Sequence, residues 1–379
     1  MKVRLYLGTL MMATSLMAGL VPRPSAAAEI VIAAELALTG PYAFAGVPTR
    51  DALVMAVGDI NAKKLAGEHT IKLMIEDTAS DKQQAISLAN RFAARDGAVM
   101  ILGPSSSFEA VAVAPVANAL KIPMLTTTAL AADITKAGEW SFKTPESPEI
   151  TVEEITKYAV EKMEAKRVAL IFGRDNEGQI AQKNVARAYF KAHGVEVVSE
   201  DSVLSSDTDF QALITKLESL KVDTIFLAPV AEQAANLIVQ ARQSGLGPEV
   251  RFIGTSNMGS ERFLRVGGGA LEGVTFFADY FYKIDSADNT TFVAAFRSKY
   301  GRDPDNLSAL GFTALHLAAR AIKMAGPNPT RESVRAALAA TRDIPVILGK
   351  GRFSFDDGRN PHYGQVILMV KGGQFAIAP

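Results

Sequence analysis

Short β-rich runs alternate with helix patterns along most of this chain, and no other feature of the sequence restricts its fold as strongly. Apolar residues recur at helical spacing over 48–63, over 81–97 and up to Leu120. The segments around these helices have the apolar continuity or alternation of strands: IVIAAEL (30–36), TIKLMIED (70–77), AVMILG (98–103) and IPMLTTT (122–128). Repeated strand–helix–strand order favours a parallel sheet with helices on both faces. The sequence therefore predicts an α/β fold.

The same order starts again in the middle of the chain. KRVALIF (166–172) opens a second series of strands and helices, which continues to EGVTFFADY (272–280). Two series of similar size predict two Rossmann-like lobes, each built on a parallel-rich central sheet. The first series ends near Thr144, where Pro145 and Pro148 mark a crossing between the lobes.

The last hundred residues or so divide into a helical part and a β-rich tail. Residues 288–341 have helix patterns, and GQVILMVKGGQFAI (364–377) reads as two strands joined by a Lys-Gly-Gly turn. We expect the helices to return to the first lobe and the tail to the second, which makes three chain crossings and a cleft able to close by hinge motion. The predicted lobes are residues 29–145 with 280–350, and residues 146–279 with 351–379.

The N-terminal residues are typical of an export signal rather than of the fold. Lys2 and Arg4 precede an uncharged apolar run from Leu5 to Leu20, and Ala26 to Ala28 have the small side chains that signal peptidase requires. We predict a signal over residues 1–28 with cleavage after Ala28; a membrane anchor is the alternative, but the run is short for a span. The chain has no cysteine for a disulfide or a lipid anchor. A soluble periplasmic protein is therefore expected.

Charge and motif searches argue against several functions. The chain has 40 basic and 40 acidic residues, and this balance disfavours a nucleic-acid partner. His69, His193, His316 and His362 lie far apart, so no metal site is predicted. No phosphate-binding loop or nucleophile motif is present, and we expect neither a cofactor nor an enzyme. Glu177 as a general acid or base is the one enzymatic alternative, but it has no visible catalytic partner.

The stretch ILGPSSSFEA (101–110) places three serines where a strand leads into a helix. Ser106 and Glu109 have the spacing of a capping box, so a helix cap is one interpretation. The other is an anion site, because a helix start presents free N–H groups and the positive end of the helix dipole. Ser107 adds a hydroxyl at the same place. Both interpretations can hold, and a carboxylate is the expected guest.

Other strand ends add candidate ligand contacts, since ligands of open α/β sheets bind beyond the carboxyl ends of the strands. The next strand ends in three threonines, of which two are predicted to face the pocket of the serines. In the second lobe, GRDNEGQ (173–179) and GTSNMGS (254–260) end two strands, and TGPYAFAG (39–46) offers aromatic rings in the first. The candidates from these segments are Thr127, Thr128, Glu177, Ser256, Asn257, Tyr42 and Phe44.

Taken in order, several segments resemble the solute-binding proteins of branched-chain amino acid-type ABC importers, also called the leucine/isoleucine/valine-binding family. The segments are LTGPYAFAG, DINAK, EDTASDKQQAISLANRF, GPSSS, PMLTTTALAADIT, TDFQALITKL and QARQSGL. The resemblance covers the whole chain after residue 28. It implies a type I periplasmic binding fold, a closing cleft, a small-molecule ligand delivered to a membrane permease, and a monomer.

The resemblance also implies roles for single residues. Ser107 falls where the family holds the ligand carboxylate, and Thr128 at a backbone contact in the same wall. Leu130, Glu177 and Ser256 depart from the family pattern, since the expected threonine, tyrosine and acidic residue are absent. The acidic residue would pair with the ammonium of an amino acid, and burying that charge unpaired is costly. We therefore expect a carboxylate ligand, either a branched-chain or related amino acid or an aromatic carboxylate or amide; a ligand sensor of the same fold is the other alternative.

Overall fold

The computed structural model of the protein describes Met1 and residues 29–379. The predicted export signal, apart from Met1, and its cleavage point after Ala28 lie outside the described residues. The fold begins at the first predicted strand, β1 (Glu29–Leu36). Across residues 29–379, no helix combines the length and the apolar character needed to cross a membrane.

The first lobe follows the strand–helix order of the sequence. Its further strands are β2 (Thr70–Asp77), β3 (Met100–Leu102), β4 (Met124–Thr126) and β5 (Ser141–Lys143). Its helices up to this point are α1 (Ala43–Ala62), α2 (Lys82–Ala94), α3 (Ser107–Ala119) and the short α4 (Asp133–Lys136). The five strands are parallel throughout, in the order β2–β1–β3–β4–β5.

Helices cover both faces of this sheet, as the continuous apolar run of β1 predicts. Ile32 and Ala34 belong to one buried cluster, whereas Ala33 belongs to the cluster on the other side. All three side chains are fully buried. Because successive side chains of a strand point to opposite faces, a strand between two helix layers has no polar face. The predicted α/β fold with a parallel sheet is confirmed.

The second lobe repeats this arrangement. Its elements in chain order are α5 (Pro148–Glu161), β6 (Arg167–Gly173), α6 (Glu177–Ala192), β7 (Glu196–Val203), α7 (Gln211–Ser219), β8 (Thr224–Leu227), α8 (Ala231–Gln243), β9 (Arg251–Gly254), α9 (Glu261–Gly267) and β10 (Thr275–Ala278). Strands β6 to β10 pair in parallel. The tail adds β14 (Val366–Lys371) and β15 (Gln374–Ile377) as antiparallel edge strands beside β10, so this sheet has seven strands.

The tail hairpin turns where the sequence predicted it. Lys371 pairs with Gln374, which leaves Gly372 and Gly373 as a two-residue loop. Both glycines have positive φ, 58° and 74°. A two-residue hairpin loop requires this backbone conformation to match the strand twist, and glycine adopts it without strain.

The helices of the last third pack into the core of the first lobe. They are α10 (Ala287–Tyr300), α11 (Asn306–Met324) and α12 (Arg331–Ala339), followed by a small sheet of β11 (Ile344–Pro345), β12 (Arg352–Phe355) and β13 (Pro361–His362). Phe353, Phe355 and Tyr363 are buried in the same cluster as Ile32. The chain therefore returns to the second lobe between Tyr363 and Val366, later than the predicted residue 351.

Two helices differ from the sequence prediction. Helix α1 begins at Ala43 instead of residue 48 and keeps Pro48 inside it. Gly46 allows this early start, because a Cβ there would lie 2.0 Å from the carbonyl oxygen of Ala37. Helix α5 is absent from the sequence prediction, in which Pro148 marks only a crossing. Pro148 is instead the first residue of α5, where its missing N–H and fixed φ suit a helix.

A buried polar cluster ties the three crossings between the lobes together. Glu146 lies in the first crossing, Asp279 in the second, and Tyr363 and Gln365 in the third. Glu146 Oε1 accepts the backbone N–H groups of Tyr363 and Gly364 at 2.6 and 2.8 Å. Glu146 Oε2 accepts Gln365 Nε2 at 2.9 Å, and Gln365 Nε2 also reaches Asp279 Oδ1 at 3.0 Å. We call these four side chains the hinge cluster. They join the three crossings at one place, which is where the two lobes can bend relative to each other.

The phenol of Tyr363 completes the hinge cluster. Its hydroxyl donates to Asp279 Oδ1 and accepts the N–H of Glu146. Burial, together with the charges of Asp279 and Glu146, raises the pKa of Tyr363 well above its ordinary value. The phenol therefore stays protonated and remains a donor to Asp279.

Removing the carboxylate of Glu146 should destabilise the protein. Glu146→Ala leaves two backbone N–H groups and a side-chain amide without their acceptor, so we expect a loss of about 2–4 kcal/mol in the free energy of unfolding. Urea unfolding followed by circular dichroism measures this change. Glu139→Ala is the control, because Glu139 is 63% exposed in a surface ion pair with Arg335. Equal urea midpoints for the two variants would contradict the role of Glu146.

Candidate functional site

The carboxyl ends of strands from both sheets face one another across the cleft, and a cavity of about 40 Å³ lies between them. The cavity is small because the lobes touch: a Cβ on Gly178 of the second lobe would lie 2.6 Å from Ser107 Oγ of the first. The residues that line the cavity are Tyr42, Phe44, Ala45, Ser105, Ser106, Ser107, Thr128, Leu130 and Leu307 of the first lobe and Asn176, Gly178, Gln179, Gln182, Val230 and Asn257 of the second.

Ser106 and Ser107 each suit one of the two roles, helix cap and anion contact, between which the sequence did not decide. Ser106 is the N-cap of α3: its Oγ accepts the N–H of Glu109 at 3.3 Å and donates to Glu109 Oε2 at 2.6 Å. This is the helix cap predicted from the spacing, although Glu109 accepts the Ser106 hydroxyl rather than the backbone N–H that a capping box would use. Ser107 is the first helical residue, and its Oγ accepts the N–H groups of Leu130 and Ala131 at 3.1 and 3.2 Å. The proton of the Ser107 hydroxyl is therefore available to an acceptor in the cavity.

Two helices point their N-terminal ends into the cavity. Helix α3 enters from the first lobe at Ser107, and α6 enters from the second at Gly178. Asn176 caps α6, with its Oδ1 accepting the N–H groups of Gly178 and Gln179 at 3.0 and 3.3 Å. Each helix end presents backbone N–H groups and about half a positive charge. The two ends together make the cavity favourable for an anion.

Two buried carboxyl groups lie behind the start of α3. Burial raises the pKa of Glu35 well above its ordinary value, and the nearby Glu109 raises it further. Burial also raises the pKa of Glu109, against the opposing hydrogen bond from Ser106. A raised carboxyl pKa favours the neutral acid. The region behind the helix end is therefore less negative than its acidic residues suggest, which preserves the attraction for an anion.

Apolar side chains form the opposite wall of the cavity. Tyr42 and Phe108 stack with their ring centres 5.8 Å apart. Tyr42 and Val230 belong to a small buried cluster that spans the two lobes, and Phe44 packs against it. Leu130 also faces the cavity. The site thus combines a polar, electropositive end with an apolar wall, which suits a small ligand with a carboxylate head and an apolar body.

The loop after β4 is held in place by buried hydrogen bonds. Thr128 Oγ1 donates to the carbonyl of Ser105, so the two strand ends are joined directly. Lys143 Nζ donates to the carbonyl of Leu130 at 3.1 Å and to Ser147 Oγ at 2.9 Å. Burial lowers the pKa of Lys143 to about 8. Lys143 therefore supports the wall at Leu130 from behind without facing the cavity.

The structure brings most of the predicted contacts together. Tyr42, Phe44, Ser106, Ser107, Thr128, Leu130 and Asn257 line the cavity. Thr127 is fully buried and lies outside the lining, because its neighbour Thr128 takes the position that faces Ser105. Ser256 is buried beside Asn257 without lining the cavity.

Glu177 also lies beside the cavity rather than in its wall. Its Oε1 forms an ion pair with Lys82 Nζ of the first lobe at 3.2 Å. Its Oε2 is buried and has no hydrogen-bond partner among the described residues. The charge that the sequence offered as an ammonium partner is therefore already paired.

Sequence analysis missed several amides of the second lobe. Asn176, Gln179 and Gln182 line the cavity, and the Nε2 of Gln182 is buried without a partner within the described part of the chain. A signal for Gln182 existed, since residues four apart on a helix share a face and Gly178 begins that face. Val230 and Leu307 had no such signal, because Val230 reaches the cavity through the meeting of the two lobes and Leu307 through the packing of α11 against α1.

The four histidines do not meet. His193 Nδ1 and His316 Nδ1 each lie 2.9 Å from a backbone oxygen of their own helix, and His69 Nε2 lies 3.0 Å from the carbonyl of Gly326. Over the residues that the structure describes, no three His, Cys, Asp or Glu side chains are grouped so that they could hold a metal ion.

Comparisons with known proteins agree with this fold. A model of a family described as periplasmic binding protein matches residues 29–374. The Leu/Ile/Val-binding protein BraC3 of Rhizobium johnstonii is 29% identical over 343 residues, covering 89% of this chain and 90% of that protein. The leucine binding protein LivK of Thermotoga maritima has a TM-score of 0.86 at 24% identity, covering 92% of this chain and 98% of that chain. An R. palustris solute-binding protein in complex with benzoate has a TM-score of 0.84 at 22% identity, covering 92% and 95%.

These findings identify the class of protein. The fold is that of type I periplasmic binding proteins, with two lobes and a cleft. The chain belongs to the periplasmic binding protein family. Its relatives are named as binding proteins rather than enzymes.

Adding one methyl group at Gly178 should block closure without harming the fold. Gly178→Ala suits a helix, but its Cβ would lie 2.6 Å from Ser107 Oγ across the cleft. We expect about a tenfold loss of ligand affinity, since overpacking costs ~1–3 kcal/mol. Titration calorimetry measures this loss. The ligand is a carboxylate that raises the melting temperature of the parent protein. Gly58→Ala is the control, because nothing lies within 4 Å of its Cβ; an equal affinity in both variants would argue against contact between these residues on closure.

Proposed function

We propose that this protein is the solute-binding component of an ABC importer, which captures a small carboxylate-bearing ligand between its lobes and delivers it to the membrane permease. The family and the two-lobe cleft support this role. The predicted export signal supports a periplasmic location, where the homologous binding proteins of importers act. Hinge closure around a ligand gives the permease a shape by which to recognise the loaded protein.

The convergence of two helix N-termini on Ser107 is the main observation in favour of a carboxylate. An anion at one helix end gains about 0.3–1 kcal/mol, and up to ~2 kcal/mol when partly buried. Here α3 and α6 both contribute, and the Ser107 hydroxyl adds a donor at the same point. A carboxylate has two oxygens, so it can accept from both helix ends at once.

The charge of the cavity wall favours a carboxylate without an ammonium group. Among the described residues, none that lines the cavity is charged, and the nearby Glu177 is paired with Lys82. A buried ammonium without a counter-charge is costly. We therefore propose an apolar or aromatic monocarboxylate, whose further polar groups could bond to Gln182 or Asn176.

A branched-chain amino acid is the second candidate. The name of the R. johnstonii relative, a Leu/Ile/Val-binding protein, favours it. Fold similarity does not decide between the two, because LivK is named for leucine and the R. palustris protein holds benzoate. An amino acid ligand would need an acceptor for its ammonium, and Glu177 could serve only by pairing with it beside Lys82 or in place of Lys82.

A thermal-shift panel tests both candidates on the purified protein. It compares leucine with 4-methylpentanoate, its counterpart without the amino group, and adds benzoate and 4-hydroxybenzoate. A ligand at a hundred times its Kd stabilises the folded protein by about 2.7 kcal/mol, which shifts the melting temperature visibly. We expect a shift with the desamino or aromatic acids. A shift with leucine alone would establish the amino acid instead, and no shift with any carboxylate would refute the carboxylate proposal.

Substituting the adjacent serines separates the cap from the ligand contact. Ser106→Ala removes the N-cap of α3 and should cost about 1 kcal/mol of stability with little direct effect on the ligand. Ser107→Ala removes a donor to the ligand carboxylate and should weaken binding about tenfold or more, as expected for a hydrogen bond to a charged group. Urea unfolding and titration calorimetry measure the two effects. Equal affinities in both variants would assign Ser107 a structural role only.

A further inference from the structure

Lys82 and Glu177 form an ion pair between the two lobes. Lys82 is the first residue of α2 in the first lobe, and Glu177 is the first residue of α6 in the second. The Nζ and Oε1 atoms lie 3.2 Å apart, and the two side chains are 35% and 34% exposed. Because Asn176 and Gly178 line the cavity, the pair closes the cleft directly beside the site.

Lys82 is poorly placed for its own helix. The N-terminal end of a helix has a positive partial charge, which disfavours a cation there. The side chain of Asp81 is directed to the helix, where it caps α2 by accepting the N–H of Gln84 at 2.7 Å. The ammonium of Lys82 instead lies 4.2 Å from the ring centre of Phe108 and against Glu177. The interactions that favour this lysine thus lie at the cleft.

A second ion pair between the lobes involves a cation that also has a partner in its own lobe. Arg302 Nε of the first lobe lies 3.4 Å from Glu261 of the second. Arg302 also pairs with Asp51 of its own lobe at 2.9 Å, so its charge is compensated whether or not the lobes meet. Within the described chain, Lys82 has Glu177 as its sole ion-pair partner.

We propose that Lys82 and Glu177 form a latch that is made when the lobes close, and that Lys82 thereby keeps Glu177 from pairing with an ammonium group of the ligand. The inference rests on the proposed function, since it assumes capture by closure of the cleft. An interaction present in only one of two states shifts the equilibrium toward that state. Lys82 therefore adds to the affinity for every ligand and selects carboxylates that lack an ammonium.

Three variants and one control test the latch. Lys82→Met keeps an unbranched apolar side chain and removes the charge, and Glu177→Gln keeps the shape of the other partner. The charge exchange Lys82→Glu with Glu177→Lys rebuilds the pair in the opposite sense. Lys63→Met is the control, because Lys63 pairs with Asp59 at 2.8 Å within α1 and does not reach across the cleft.

Closure is measured first, with fluorescent dyes and no assumption about the ligand. The chain has no cysteine, so Ser87→Cys in α2 and Glu218→Cys in α7, both exposed, provide one dye site on each lobe. At low salt we expect Lys82→Met to reduce the ratio of closed to open molecules by about two- to fivefold, the range for a partly exposed ion pair. The charge exchange should restore this ratio, and high salt should remove the difference. A charge-exchanged protein that closes no better than Lys82→Met overturns the latch.

Ligand preference is measured second, as the ratio of the Kd values of leucine and 4-methylpentanoate. Lys82→Met frees the Glu177 carboxylate, so we expect this ratio to move toward leucine by about tenfold or more. Adding Glu177→Gln to Lys82→Met should return the ratio to its starting value, and Lys63→Met should not change it. A ratio that is unchanged in Lys82→Met overturns the selective role of Lys82. If neither of these probes, nor benzoate, nor 4-hydroxybenzoate binds the parent protein, the proposed ligand class fails, and the dye distances alone then support or overturn the latch.

Discussion

The carboxylate of Glu146 is the point on which the arrangement of the two lobes depends. It accepts two backbone N–H groups and a side-chain amide from the third crossing, and Tyr363 links the same cluster to Asp279 in the second. Three crossings joined at one buried place leave the lobes little freedom except rotation about that place. The site needs this restriction, because both lobes contribute residues to its polar wall, and these residues must come together in one relative position.

The electrostatics of the cleft follow from the same geometry. Parallel sheets place the starts of the following helices at their carboxyl ends, so two facing lobes direct two positive helix ends at each other. These ends would repel one another in a dry cleft, and an anion between them relieves that repulsion. The raised pKa values of Glu35 and Glu109 favour neutral acids behind α3, so the protein does not itself supply the balancing charge at that position.

Local patterns were enough to predict most of the fold and part of the site. The strand–helix alternation and the Ser106–Glu109 spacing depend on neighbouring residues, and both appear as expected. The chain returns to the second lobe only after Tyr363, because Phe353 and Phe355 pack into the hydrophobic core of the first lobe. No local sequence pattern indicates which of the two cores these residues enter. Likewise, Val230 becomes a wall residue through the meeting of the two lobes and Leu307 through the packing of α11 against α1, so no local pattern of the sequence indicates either of them.

Two residues that conflict with their local surroundings lie at the cleft. Lys82 begins a helix where a cation is unfavourable, and Gln182 buries an amide whose Nε2 lacks a partner among the described residues. Each of these residues lowers the stability of the folded protein, so folding alone does not explain its presence. Each becomes favourable once the lobes close around a bound anion: Lys82 gains Glu177, and Gln182 can donate to the ligand. The unfavourable placement of these residues is therefore best explained by binding, because the contacts that compensate for it form only in the closed state.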